Sequence, residues 1–188
     1  MKKIYSLTGE YTENSSFIEI YPDNQESIIG RAMEQHWRPF ENYKPIILRL
    51  YPSDNGKKNY KFDFSGSLIP FCVFSENAVV TLQDILLPSG QLLDITTDSK
   101  RKKYFGYYPI TKYPKGILDL EKSIYKEYPK GLLIRKPVLK RDKIPEDALF
   151  CIEEDFSRIY VTDTFKNLVE ISGLVGFSFD KNSEIELS

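Results

Sequence analysis

Phe71-Cys72-Val73-Phe74-Ser75-Glu76 is an apolar strand that runs into Ala78, Val79, Leu82, Ile85 and Leu86 at helical spacing. The pattern returns 87 residues on, where Ile159-Tyr160-Val161-Thr162-Asp163 leads into Phe165, Leu168 and Val169. In each unit a hydroxyl, on Ser75 or Thr162, is placed to cap the helix. The following acid, Glu76 or Asp163, sits in the first turn, where it favours the positive end of the helix dipole. Neither unit has Glu or Gln three residues after the cap, so neither is a full capping box. Pro88-Ser89-Gly90 ends the first helix, and Gly173 suits a left-handed cap for the second. Two strand-to-helix units imply a duplication at most, because a solenoid needs three or more repeats.

Outward from these units the chain reads mostly as strands. Residues 17–21 form one, stopped by Pro22-Asp23-Asn24, and residues 25–35 carry Ile28, Ile29, Ala32 and Met33 at the spacing of a short helix. Residues 44–51 and 60–64 are β-rich and flank Asn55-Gly56, which predicts a hairpin. Further strands are expected over 91–97, 104–113, 131–139, 148–152 and 174–179, and the acidic tail 180–188 is expected to fray. Strands and helices do not alternate as in a doubly wound parallel sheet. The expectation is an α+β fold, a mainly antiparallel sheet with two or three short helices, including the two strand-to-helix units. Residues 1–60 read as a β-rich N-terminal extension packed on a main domain of 61–188, the whole making one compact unit.

The chain has 188 residues, 41% apolar and 14% aromatic, which is enough to bury a sizeable core and excludes disorder. No apolar run reaches the ~18–20 residues that cross a bilayer, and the basic N-terminus lacks an apolar stretch after it, so a cytoplasmic protein is expected. Cys72 and Cys151 match no zinc spacing and read as small buried hydrophobes in a reducing compartment. The 26 bases and 27 acids leave a net charge of -1 that hides a polarised distribution. Residues 1–70 are balanced, 71–146 carry 14 bases against 9 acids, and 147–188 carry 3 against 9. The stretch from Lys100 to Lys143 holds all 14 of those bases against Asp119, Glu121, Glu127 and Asp142. Such asymmetry bears on partners, unless the basic and acidic segments neutralise each other.

A catalytic kit is missing from the sequence. His36 is the single histidine, which excludes a multi-histidine metal site and leaves no second base for a Ser or Cys nucleophile. There is no Gly-x-Ser-x-Gly elbow, no phosphate-loop spacing and no Gly-x-Gly-x-x-Gly. Acids such as Asp119 and Glu121, or Glu153, Glu154 and Asp155, are surface carboxylates on this reading. No cofactor, metal or catalytic residue is expected.

Lys100-Arg101-Lys102-Lys103 precedes Tyr104, Phe105, Tyr107 and Tyr108, then Lys112, Tyr113 and Lys115. Cations interleaved with flat rings suit phosphates and stacked bases, so nucleic-acid binding through residues 100–115 is the alternative function. The same surface serves an acidic protein. Against both stands ordinary sheet packing, since a strand alternates faces and at least one of the tyrosines belongs in a core.

From about Asp63 to Phe179 the chain resembles the predicted immunity proteins of bacterial polymorphic toxin systems, immunity protein family eleven, with family forty-three as a relative. The likeness rests on Val73-Phe74-Ser75-Glu76 through Leu82, on Gly106-Tyr107-Tyr108-Pro109-Ile110, and on Leu118-Asp119-Leu120-Glu121-Lys122-Ser123. It continues through Val138-Leu139, Lys143-Ile144-Pro145, Leu149-Phe150, the Ile159 to Asp163 unit and Gly173-Leu174-Val175-Gly176-Phe177. The first 60 residues and the run Lys100 to Lys103 lie outside it. The resemblance implies a cytoplasmic, non-enzymatic protein that binds and neutralises a cognate toxin domain stoichiometrically. The contact residues expected on that reading are Arg101, Lys102, Lys103, Tyr104, Tyr107, Tyr108, Lys112 and Tyr113, with Glu153-Glu154-Asp155 as the competing face. Oligomeric state stays open.

Overall fold

The computed structural model describes residues 2–129 and 131–188. Eight of its eleven strand pairings are antiparallel, distributed over six small sheets, and helices are few and short. The fold is α+β, as the spacing of apolar residues predicts. One four-stranded sheet runs in the order Phe64–Ser65, Cys72–Ser75, Tyr104–Pro109, Gly90–Leu93. The other runs Ile4–Ser6, Asp155–Thr162, Leu149–Ile152, Lys112–Tyr113. The strands of both strand-to-helix units are therefore interior to their sheets.

Ser75 caps as its position predicts: its Oγ accepts from the Ala78 N–H at 3.1 Å and donates to the Asp63 carboxylate at 2.7 Å. The helix that follows is split at Leu82 into Glu76–Thr81 and Gln83–Ser89, so the described residues hold four helices. Thr162 corrects the expectation for the second unit. It stands at the start of Asp163–Ile171 in extended conformation, but its Oγ1 is buried with no partner and caps nothing. The first N–H of that helix, on Asp163, donates to the Lys3 carbonyl at 3.1 Å, and the second, on Thr164, to the Asp163 carboxylate at 3.1 Å. The helix ends as expected: Gly173, at φ 66, and Leu174 donate to the Glu170 and Val169 carbonyls in a Schellman closure. Ser75→Ala should therefore cost about 1–2 kcal/mol in urea denaturation, whereas Thr162→Val should cost nothing or stabilise slightly. Equal losses in both would mean that the two helix starts are held alike.

Two other expectations are corrected. The strand Ile46–Tyr51 does not pair with residues 60–64; it lies between Ser16–Ile20 and Ile95–Thr97. The turn at Asn55-Gly56 forms, with Gly56 at φ 73, but Asp54 and Asn55 donate to the Tyr11 and Thr12 carbonyls. The loop is thus held by the N-terminal segment, and Phe64–Ser65 is carried across to Cys72–Ser75. The acidic tail is not frayed. Glu186–Leu187 pairs in parallel with Val138–Leu139, and Ile185 is buried.

The main core gathers Phe17, Phe62, Phe71, Phe74, Tyr104, Tyr107, Tyr108 and Phe165 with Tyr5 and Leu7 from the N-terminal segment. A second, smaller core joins Ile4, Ile117, Leu118, Ile134, Leu139, Phe150, Ile152, Tyr160 and Ile185. Cys72 and Cys151 are free thiols, fully buried, and burial pushes both thiols up from their ordinary range. They behave as the apolar residues their spacing suggested.

A basic hairpin face as the candidate functional site

The residues expected to form a contact surface fall into three different places. Tyr104, Tyr107 and Tyr108 lie in the main core, because the strand Tyr104–Pro109 is covered on both faces. Their hydroxyls point inward: Tyr104 donates to the Phe62 carbonyl at 3.0 Å, Tyr107 to Leu86 at 3.1 Å, and Tyr108 to Ala32 at 2.8 Å. Burial raises the pKa of each. These three rings can neither stack a base nor touch a partner in this fold, which corrects their assignment to a surface.

Arg101 and Lys103 stay exposed on the loop before that strand, but Lys102 is committed to the fold. Its Nζ sits 2.8 Å from Asp63, a carboxylate that also accepts from Ser75 and from the Val175 N–H. Lys103 lies 4.5 Å over the Phe105 ring and 4.0 Å from Glu76. Lys112 is exposed and Tyr113 half-buried on an edge strand of the other sheet, beside the second core. The Tyr113 hydroxyl binds Asp147, which pushes its pKa up to about 12. The competing acidic face is corrected as well. Asp155 is 1% exposed and accepts from Ser157, Arg158 and Tyr160, and Glu154 is buried with one oxygen on the Gly116 N–H at 2.6 Å.

The basic excess is not neutralised internally. Among the described residues, a single ion pair, Lys136 to Glu186 at 2.8 Å, joins the bases of 100–143 to the acids of 147–188. Lys102 and Lys103 find acids elsewhere, and the ten other described bases of that stretch have no ion pair. Most of those ten flank the second core, on the segments around 112–126 and 135–143.

From this region projects a hairpin, Ile124–Tyr128 with Gly131–Lys136, that the sequence reading only half found. Its first strand was missed, although Ile124-Tyr125-Lys126-Glu127-Tyr128 and the nearby Pro129 and Gly131 carried the signal. A lone two-stranded hairpin is marginal in water. This one is anchored by Ile134 in the second core, with Tyr125 and Leu132 packed against it. Lys126 pairs across the strands with Leu133, and Tyr128 with Gly131, so these four share a face, while Arg135 is the exposed extra residue where the register shifts. On that face Tyr128 is 48% and Leu133 46% exposed, and the Lys126 ammonium lies 5.1 Å from the centre of the Tyr128 ring.

Between the hairpin and the helix Ile28–Gln35 lies a mostly apolar groove of about 310 Å³, lined by Met33, Tyr128, Leu132, Leu133 and Phe156. The larger cavity at the hairpin's root, about 880 Å³, is polar and contains both the Lys136–Glu186 pair and Arg158, itself paired with Asp155. Its lining carries four bases and three acids, of which Lys136, Arg158, Glu184 and Glu186 are already in ion pairs, so the exposed hairpin face is the stronger candidate. No group of three or more metal-ligating side chains occurs among the described residues, and no helix among them is long and apolar enough to cross a membrane. No protein-family model matches the chain, and no curated protein matches it either.

Proposed function

We propose that the protein is an immunity-type inhibitor that binds a bacterial toxin domain one to one, using the basic hairpin and the surface around the second core. The observation that carries this reading is the set of unpaired cations beside exposed Tyr128 and Leu133, while the acids at 154 and 155 are turned inward. Long-range attraction from such a face speeds encounter and rejects like-charged partners, and desolvated apolar side chains at its centre hold the complex. The resemblance to immunity families supplies the class of partner; the surface supplies a means of holding it. Inhibition of this kind needs no nucleophile or cofactor in the inhibitor.

The test begins with capture of partners by the tagged full chain from its own host. Protein is identified by mass spectrometry and nucleic acid by absorbance at 260 nm. Recovery of one polypeptide whose toxicity is relieved by co-expression supports the proposal. Recovery of nucleic acid alone, lost on adding salt, overturns it in favour of the nucleic-acid reading. With the captured toxin domain in hand, Lys126→Glu combined with Arg135→Glu should slow association about tenfold or more and flatten its salt dependence. Arg101→Glu should leave the rate nearly unchanged. The reverse ranking would move the contact face to the loop at 100–103.

A further inference from the structure

We infer that the groove between the helix Ile28–Gln35 and the hairpin receives one large apolar side chain, carried by the partner on an acidic segment. The inference rests on the proposed function only for the partner's identity. Its own basis is the coincidence, at one place, of an apolar floor, a cationic rim and a backbone held in an unfavourable conformation.

The floor is Phe156, flanked by Met33, Leu132 and Leu133. Phe156 follows Asp155 on a strand that puts Ile159 and Val161 in the main core and Tyr160 in the second. The hairpin comes so close to it that a Cβ on Gly131 would lie 3.3 Å from the ring. On its other side the His36 ring stacks on Phe156 at 4.2 Å and 7°. That stack depends on an unusual helix end. His36 and Trp37 are both left-handed, at φ 49 and φ 64, a conformation side chains with a Cβ resist. The cost is offset by the Trp37 backbone N–H on the Tyr108 hydroxyl at 2.9 Å and its indole N–H on the Ile152 carbonyl at 3.2 Å. The buried tyrosine hydroxyl thus helps hold one wall of the groove.

The rim selects the occupant. Lys126 lies over Tyr128 and opposite Leu133, and it has no ion pair among the described residues. An apolar side chain alone would gain the floor and leave the Lys126 ammonium unmatched. A neighbouring carboxylate on either side of it gains both, and charge of the opposite sign is repelled. A single anchoring ring or aliphatic chain in a desolvated pocket, bordered by charge, is the usual composition of an interface hot spot.

The probe is a fluorescently labelled peptide with one tryptophan flanked by glutamates, read by anisotropy against the protein. Binding should weaken about tenfold when the tryptophan is replaced by alanine, and about as much in Leu133→Asp or Met33→Asp. Both positions are exposed, at 46% and 40%, so neither substitution disturbs a core. Lys126→Glu, and a probe with lysines in place of glutamates, should each weaken it severalfold. Absence of binding, indifference to Leu133→Asp and Met33→Asp, or a preference for single-stranded oligothymidylate would each overturn the inference. The two proposals fail separately. Toxin neutralisation that survives Leu133→Asp and Met33→Asp removes the groove and keeps the immunity reading. Groove-dependent peptide binding without any toxin partner does the opposite.

Discussion

Asp155→Ala is expected to lose about 3–5 kcal/mol of folding stability, the largest effect of any polar substitution in the protein. The carboxylate is 1% exposed and makes four hydrogen bonds, to the Ser157 N–H at 3.0 Å and hydroxyl at 2.8 Å, to Arg158 at 2.9 Å and to the Tyr160 hydroxyl at 2.9 Å. Removing it leaves the Tyr160 hydroxyl, fully buried, and the Arg158 guanidinium, largely buried, without their acceptor. Desolvation, with the Asp155 charge second, already raises the pKa of Tyr160, so the phenol stays a donor at any physiological pH. At this chain length about 2–4 °C of melting temperature accompanies each kcal/mol, so a fall of roughly 6–20 °C should be seen by circular dichroism. Tyr160→Phe is the control. It deletes one donor and leaves Asp155 its other partners, and should cost only about 1–2 kcal/mol. If Asp155→Ala costs less than Tyr160→Phe, the carboxylate does not organise this strand. The substitution also bears on function, since Asp155 fixes the strand that carries Phe156.

Gly106→Ala should cost about 3 kcal/mol, at the high end for adding one methyl group. A Cβ at Gly106 would lie 2.2 Å from the Phe71 Cζ and 2.9 Å from its Cε1, well inside contact distance. Phe71 is fully buried, and Gly106 is paired with Val73 on one side and Leu93 on the other, so neither can retreat without moving the sheet. The glycine of the Gly106-Tyr107-Tyr108 stretch is needed for this close approach and not for a turn. Phe71→Leu should open the space. Combined with Gly106→Ala it should lose clearly less than the sum of the two single changes, in denaturant titrations that hold the m-value constant. Strict additivity, or a Gly106→Ala loss below about 1 kcal/mol, would show that the ring moves freely.

Local chemistry was legible in the sequence wherever neighbours along the chain supply the energy. The strand-to-helix units, the Ser75 cap, the Gly173 closure and the apolar character of Cys72 and Cys151 depend on residues a few positions apart, and each stands where expected. The count of charges also survived: the basic excess between 100 and 143 remains unpaired at the surface.

What failed were the particular inferences that needed to know which group lies across from a residue. Alternation along 104–108 puts neighbouring tyrosines on opposite faces, but it does not say whether each face is covered, and here both are. Thr162 has the right type and place for a cap, yet its Oγ1 is buried without a partner, while the first two N–H groups of the helix go to the distant Lys3 carbonyl and to the Asp163 carboxylate. The carboxylates of Asp63 and Asp155 look like any surface acids until Ser75, Lys102 and Val175 converge on one, and Arg158 and Tyr160 on the other. The acidic tail is short and polar by composition, yet it is pinned by pairing with Val138–Leu139. The sequence alone established the fold class and the sign and extent of the charge. Only the tertiary structure decided which face carries that charge, because pairing and burial arise from contacts between distant segments and no local pattern encodes them.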